Sequence, residues 1–305
     1  MAEATGKGRW GALWRNEFRS SRLGLRIHHP SLFTRPQWSA VPDMALKVWK
    51  VVLFMYFLAW LIVSVEDSLR RAQTQQQGDR WMIYLTHWTY LLFIFYLLFS
   101  ALNTCFEIGR RGHEKQQYLI LLKIQWVLWN IAAPCTLMVV FLYWFMLWPP
   151  DPEKDKTWYK PGDGPSAITL HVHLINGLIL VLDHFLHAQP VNLLHLCHPM
   201  IYGCLYATFT GIYYAASGTT AEGDIAIYPF LNYKHKLPIA VGVTLALIFI
   251  AIPITFAVFW LIFRLRLWLW RRNDSHTKGI PDADFDSVSG TSVAGEPPKL
   301  HNVKF

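Results

Sequence analysis

Six long apolar stretches dominate this chain and limit what it can fold into. Each is close to the roughly 20 residues that an α-helix needs to cross about 30 Å of hydrocarbon. Their bounds are 46–65, 82–103, 118–148, 166–187, 191–216 and 237–265. A single stretch of this kind satisfies its backbone hydrogen bonds in hydrocarbon by becoming helical. We therefore predict an all-α, polytopic integral membrane protein with six transmembrane helices.

Composition agrees with a membrane protein and argues against a nucleic-acid partner. Apolar residues make up 53% of the 305 residues, and charged residues make up 16%. The formal net charge is +8, but the basic residues gather beside the apolar stretches, which is typical of cytoplasmic membrane flanks. We expect membrane lipids as partners and no nucleic acid. The four cysteines show no paired spacing, which argues against a disulfide framework.

Lysine and arginine are unevenly distributed between the two sides of the predicted bundle. The tails and the second loop hold nineteen of them and the alternate loops eight, with the intramembrane Lys123 left out. Positive residues favour the cytoplasmic side, so both termini are predicted to be cytoplasmic. The membrane itself is the plasma membrane or the endoplasmic reticulum.

The charge and apolar patterns also divide the chain into three parts. Residues 1–45 form a basic N-terminal segment, in which 9–26 read as an amphipathic helix on the membrane surface; a disordered basic tail is the alternative. Residues 46–265 form the transmembrane domain. Residues 266–305 are predicted to be a disordered cytoplasmic tail.

Two polar side chains are predicted to lie at the same depth on the outer side. If the second span starts near Trp81, Thr86 lies about 7 Å below the boundary, and a fourth span starting near Ala167 puts His173 about 9 Å deep. An imidazole inside hydrocarbon needs a partner. A threonine alone says little, because most membrane threonines bond a carbonyl of their own helix. The matched depth indicates a shared site.

Two neighbours are candidates for supporting roles. His171 and His173 are two residues apart, so they point to nearly opposite faces of a helix and only one of them faces a given pocket. Asn176 shares a face with His173 one turn on. Its amide could orient the ring or donate to an oxyanion.

A second polar group lies at the predicted cytoplasmic ends of two helices. His184, His187, His195 and His198 have the spacing His-x2-His-x7-His-x2-His. Ligation of a metal or haem is one interpretation. A hydrogen-bonded interfacial cluster is the other, and the one we favour, so we expect no cofactor. Asp183 follows His173 by about 15 Å of helix, too far to complete a triad with it.

In the order and spacing of several short motifs, the sequence resembles the androgen-induced, FAR-17a-type membrane protein family, and more closely its rolling stone branch. Over the membrane region the motifs are Leu85-Thr86, His173 followed by Asp183, and Tyr228-Pro229-Phe230-Leu231. In the N-terminal segment they are Asn16-Glu17-Phe18, Leu23-Gly24-Leu25 and Gln37-Trp38. Together they cover most of residues 46–265 and part of the segment before it.

The resemblance implies two functions. Characterised androgen-induced members hydrolyse fatty acid esters of hydroxy fatty acids with an intramembrane threonine nucleophile and a histidine, which would be Thr86 and His173 here. The rolling stone name comes from a role in muscle development, where myoblasts fuse. We therefore expect a lipid ester hydrolase with a site open to the outer leaflet, or a non-catalytic membrane protein of development. The basic N-terminal segment, the His-x-His and the inner histidines depart from the hydrolase branch.

Overall fold

The computed structural model describes residues 14–15, 17–74, 80–111, 116–148 and 164–273. Within these ranges the chain forms six long helices, which we number in order. They are α1 (Asp43–Thr74), α2 (Leu85–Cys105), α3 (Leu119–Leu147), α4 (Ala167–Leu186), α5 (Cys197–Ala215) and α6, made of Leu237–Ala246, Leu247–Ala251 and Ile252–Asn273. The predicted all-α class is confirmed for the described part of the chain.

Five of these helices, α1 to α4 and α6, are long and apolar enough to cross a membrane. The remaining one, α5, has 19 residues and occupies the stretch predicted as the fifth span. It is less apolar because its buried face carries the hydroxyl side chains of Tyr202, Tyr206 and Thr210. Its outward face is apolar, with Ile201, Leu205 and Ile212 exposed.

The helices pack around an aromatic core. Helix α2 packs against α1 and α3, while α6 packs against α3 and α4. The side chains buried between them include Phe57, Tyr90, Phe93, Trp129, Phe256, Phe259 and Phe263. Many aliphatic side chains on the outside of the bundle are exposed, including Met55 on α1 and Leu245 on α6. A surface of this kind suits a lipid environment.

The segment before α1 packs against the end of α4 and the residues that follow it. Short 3-10 turns cover Ser20–Arg22 and Pro30–Phe33. Gln37 N–H donates to the Leu186 carbonyl at 2.8 Å, and Ala188 N–H donates to the Arg35 carbonyl at 3.2 Å. The amphipathic helix predicted for 9–26 is not continuous in its described part, where Ser20–Arg22 is a short 3-10 turn. Residues 9–13 and 16 lie outside the described residues.

The C-terminal end of the bundle extends further than the sequence indicated. The predicted last span ended at 265, whereas α6 is helical through Asn273. The first eight residues of the segment predicted as a tail, 266–273, are therefore helical, and 274–305 lie outside the described residues.

A tight contact holds the N-terminal segment against the short helix Ile108–Arg111. A Cβ atom at Gly109 would lie 2.6 Å from the Pro30 carbonyl oxygen and 2.9 Å from Ser31 Cα. Both are backbone atoms, which cannot move as a flexible side chain can. We expect Gly109→Ala to lower the free energy of unfolding by about 1–3 kcal/mol, as overpacking does.

Thermal denaturation of the purified protein in detergent measures this effect. Gly211→Ala in α5 is the matched control, because nothing lies within 4 Å of a Cβ atom there. It should keep or raise the stability, since alanine is the better helix residue. Equal stability of Gly109→Ala and wild type would contradict the close packing of Pro30 against Gly109.

Candidate functional site

A largely apolar cavity lies in the half of the bundle that contains the start of α2 and the end of α3. It is a cavity of about 50 Å³ with an open mouth. Its wall comes from α2, α3, α5, the connection before α6 and the first half of α6. The polar side chains of the wall are Thr86, Tyr143, Tyr202, Tyr206, Thr210, Tyr228 and Thr244. This is a pocket for a mostly apolar ligand that carries a polar group.

Thr86 is the second residue of α2 and belongs to the cavity wall. The helix starts without a side-chain cap, because Tyr84 at the N-cap accepts no bond through its side chain. The first amide is satisfied from elsewhere, since Leu85 N–H donates to the Tyr228 hydroxyl at 2.9 Å. The Tyr228 hydroxyl also interacts with the Thr86 side chain and amide. Thr86 thus lies beside a tyrosine hydroxyl at the positive end of a helix.

His173 lies on a π-helical turn, His171–Ile175, inside α4. Its Nδ1 is 3.2 Å from the Thr169 carbonyl oxygen. A carbonyl only accepts, so Nδ1 carries the proton and Nε2 keeps its lone pair. The imidazole stacks on Tyr143 with ring centroids 3.6 Å apart. Its tautomer is the one that a general base acting through Nε2 requires.

Tyr143 is the structural link between Thr86 and His173. Its ring contacts His173 and forms part of the same cavity wall as Thr86. Both residues therefore lie in the same half of the bundle. In the described part of the chain, the two side chains have different hydrogen-bond partners. Thr86 bonds to the Tyr228 hydroxyl, and His173 bonds to the Thr169 carbonyl.

His171 points away from this cavity. Its Nδ1 lies 2.6 Å from the Ala167 carbonyl and its Nε2 lies 2.5 Å from the Tyr56 hydroxyl of α1. Its ring stacks on Trp60 with centroids 3.6 Å apart. The two histidines of the His-x-His thus contact different helices, His171 facing α1 and His173 facing the end of α3.

Asn176 is buried and bonds to its own helix. Its amide donates to the Val172 carbonyl at 3.0 Å, and its Oδ1 accepts from Gly177 N–H at 2.8 Å. The His173 carbonyl accepts instead from the Trp144 indole at 2.9 Å. These bonds secure the π turn that carries His173. The Asn176 side chain is not part of the cavity wall, which leaves Tyr228 as the polar group beside Thr86.

Three π-helical turns lie around this half of the bundle in the described residues. They are Tyr143–Leu147, His171–Ile175 and Leu247–Ala251. The first and third contribute Tyr143 and Leu247 to the cavity wall, and the second carries His173. Such turns inside α-helices are rare and are frequently found at functional sites.

The other half of the bundle contains a buried ion pair that the sequence did not reveal. Lys50 Nζ lies 2.7 Å from both carboxylate oxygens of Asp183. The carboxylate also accepts from Trp49 Nε1 at 2.9 Å and from the Tyr96 hydroxyl at 2.6 Å. Lys50 was counted with the N-terminal tail, although it lies inside α1. No motif in a single sequence marks Lys50 as the partner of a residue 133 positions away.

Arg266 of α6 binds the C-terminal end of α4. Its guanidinium donates to the carbonyl oxygens of His184, His187 and Gln189. These acceptors lie at the C-terminal end of a helix, where carbonyls lack intrahelical partners and a positive charge is favourable. Arg266 is fully buried and was assigned to the tail by sequence.

His184 and His187 have separate partners, while His195 and His198 share one. His184 Nε2 lies 3.1 Å from the Phe259 carbonyl, His187 Nδ1 lies 3.3 Å from Lys50 Nζ, and Asn130 bonds to Nδ1 of His195 and His198 at 3.0 and 3.4 Å. Burial lowers the pKa of His195 to about 3, so this imidazole is neutral at pH 7. In the described part of the chain, no group of three or more potential ligands could hold a metal ion. Each of the four histidines thus has a hydrogen-bonding neighbour within the protein.

Comparison with known proteins agrees with the motifs. Residues 11–276 match the family model described as protein rolling stone. Protein rolling stone of Drosophila melanogaster is 24% identical over 229 residues, which cover 72% of this chain and 78% of that protein. No solved structure matches the chain.

Proposed function

This chain belongs to the rolling stone family, and we propose that it hydrolyses a lipid ester at an intramembrane site formed by Thr86 and His173. The observation that carries the proposal is the apolar cavity that has Thr86 in its wall. An acyl chain matches such a wall, and Tyr206 and Tyr228 lie beside Thr86 at the start of α2. A lipid would enter sideways from the outer leaflet.

The proposed topology has six spans, with α5 as the fifth, and both tails in the cytoplasm. A helix of 19 residues is about 28 Å long, close to the thickness of the hydrocarbon. The apolar outward face of α5 supports this assignment. The distribution of lysine and arginine supports cytoplasmic tails.

Epitope tags test this topology. Tags at either terminus should be reached by antibodies applied to the cytoplasmic side of the membrane. A tag inserted in residues 151–165 should be reached only by antibodies applied to the opposite side. An insertion between Gly218 and Gly223 is the matched control for the outer side. Termini on opposite sides would mean an odd number of spans, and would contradict α5 as a membrane helix.

The proposed reaction uses Thr86 as the nucleophile and His173 as the base. A threonine hydroxyl is a poor nucleophile at neutral pH unless a neighbouring base takes its proton. The Nε2 lone pair of His173 is available for this, because Nδ1 is bound to the Thr169 carbonyl. A substrate bound in the cavity has to bring the two groups to within about 3 Å, as catalytic bonds often tighten only in the complex.

A residue that fills the cavity should prevent ligand binding. Ala207 of α5 is part of the wall, and Ala207→Phe would place a ring in the space for the acyl chain. We expect cross-linking by a photoreactive lipid ester to fall at least tenfold, since the ligand loses its apolar contact area. Ala246→Phe on the exposed side of α6 should leave cross-linking unchanged. Equal loss in both variants would contradict a ligand in this cavity.

The second candidate function is that of a non-catalytic membrane protein of myoblast fusion or development. The match to protein rolling stone of Drosophila favours it. In that case the cavity binds a lipid without turning it over, and Thr86 and Tyr228 form a structural pair. Cross-linking that depends on Ala207, together with no hydrolysis by the purified protein, would favour this function over the first.

A further inference from the structure

Tyr228 lies in the connection before α6 and is held firmly in place. Its ring stacks on Phe230 with centroids 5.3 Å apart and an interplanar angle of 5°. The edge of Tyr84 packs against it at 5.9 Å. A tight turn closes behind it, because Leu231 N–H donates to the Tyr228 carbonyl at 2.8 Å. These contacts fix the direction of the phenol.

The phenol oxygen of Tyr228 lies at the start of α2. It accepts from Leu85 N–H at 2.9 Å and interacts with both the side chain and the amide of Thr86. Tyr206 is a further neighbour of this oxygen, and its own hydroxyl donates to the Ile83 carbonyl at 2.8 Å. The Tyr228 hydroxyl is therefore the side-chain group in contact with the proposed nucleophile.

We propose that Tyr228 is a catalytic residue that donates its hydroxyl proton in a hydrogen bond to the oxyanion formed when Thr86 attacks an ester. This rests on the proposed function of the same site. The oxyanion would form next to Thr86, where the hydroxyl of Tyr228 and the amide of Thr86 already meet. The start of α2 adds a positive potential there.

Burial keeps Tyr228 in the form that can donate. It raises the pKa of the phenol above its usual value, so the hydroxyl is protonated at neutral pH and above. Asn176, the other candidate donor, bonds to Val172 and Gly177 of its own helix. The α2 amides donate to the Tyr228 oxygen, and the Tyr228 proton is shared with neutral hydroxyl neighbours such as Tyr206. A charged oxyanion is a stronger acceptor than a neutral hydroxyl.

The step balances with water as the only co-reactant. Thr86 Oγ1 forms a bond to the acyl carbon, its proton moves to His173 Nε2, and the carbonyl electron pair moves to the oxygen, which Tyr228 stabilises. Collapse breaks the ester bond, and the leaving alcohol takes the proton from His173. Water then repeats the sequence on the acyl-threonine and releases the fatty acid.

Steady-state hydrolysis of a lipid ester by the full-length protein tests the proposal. Tyr228→Phe removes the hydroxyl and keeps the ring stack. We expect kcat to fall about 100-fold with KM changed less than about threefold, as for loss of one oxyanion donor. Tyr213→Phe is the matched control, because it removes a hydroxyl that binds the Thr219 carbonyl at 2.7 Å. It should stay within about twofold of wild type.

The outcomes separate this inference from the function on which it rests. If Thr86→Ala keeps wild-type activity, both are wrong. If Thr86→Ala is inactive while Tyr228→Phe retains full kcat, only the role of Tyr228 is wrong. If Tyr228→Phe does not fold, the role of Tyr228 is tested instead with a fluorinated tyrosine at position 228. Its more acidic phenol should move the alkaline limb of the kcat profile to lower pH, and an unmoved limb would overturn the proposal.

Discussion

Asp183→Asn is expected to lower the free energy of unfolding by about 3–5 kcal/mol, the cost of leaving one member of a buried ion pair without its partner. The variant keeps the shape of the side chain and removes its charge. Lys50 would remain fully buried, with the neutral Tyr96 hydroxyl at 3.3 Å and the His187 ring at 3.3 Å. The loss is large because protein surrounds Lys50 and water cannot replace the carboxylate.

Unfolding of the detergent-solubilised protein, followed by thermal or denaturant titration, measures this loss. Glu66→Gln is the control, because Glu66 pairs with Arg70 at 2.6 Å on an exposed stretch of α1, where such pairs contribute about 0–1 kcal/mol. Lys50→Met combined with Asp183→Leu should recover part of the loss, since it leaves no unpaired charge. An Asp183→Asn protein as stable as Glu66→Gln would refute the buried pair.

Thr86→Ala is expected to lower kcat for lipid ester hydrolysis by about a thousandfold or more, as removal of a nucleophile does. His173→Ala should have an effect of similar size, and the double variant should be no worse than either, because the two groups act in one step. Neither change should unfold the protein. Thr86 lies at the wall of a cavity, and His173 packs on one face against Tyr143.

His171→Ala is the matched control for this prediction. It removes an imidazole two residues from His173, but one that packs on Trp60 and Tyr56 of α1. The expected result is a modest loss of stability with kcat within a few fold of wild type. If His171→Ala and His173→Ala lost activity equally, the general-base assignment would be wrong.

The helices could be predicted from sequence because their signal is local. Runs of about 20 apolar residues need no knowledge of neighbours. Helix α5 was predicted as a span, yet it is less apolar than the others since Tyr202 and Tyr206 line a cavity. The positions of the helix ends were predicted less accurately. Arg266 looked like the start of a tail, because its buried acceptors lie at the end of α4 and just beyond it, far away in sequence.

The candidate site was predictable only in part, because a single sequence does not show contacts between distant segments. Thr86 and His173 stood out as polar groups at one depth, whereas their surroundings depend on contacts between distant segments. The Leu85–Tyr228 bond joins residues 143 positions apart. Lys50 was interpreted as a membrane flank because basic residues near the start of a span usually are, and its partner Asp183 lies on another helix. Asn176 was assigned to the pocket from its helical position, but it bonds to its own backbone.

Labelling of the purified, folded protein with a fluorophosphonate probe tests the central claim most directly, since such a probe reacts with an activated hydroxyl and identifies it. The account predicts a single adduct on the peptide that contains Thr86. The adduct should be absent from Thr86→Ala, strongly reduced in His173→Ala and retained in His171→Ala. A folded wild-type protein that takes up no probe, or a Thr86→Ala protein labelled as strongly as wild type, would contradict it.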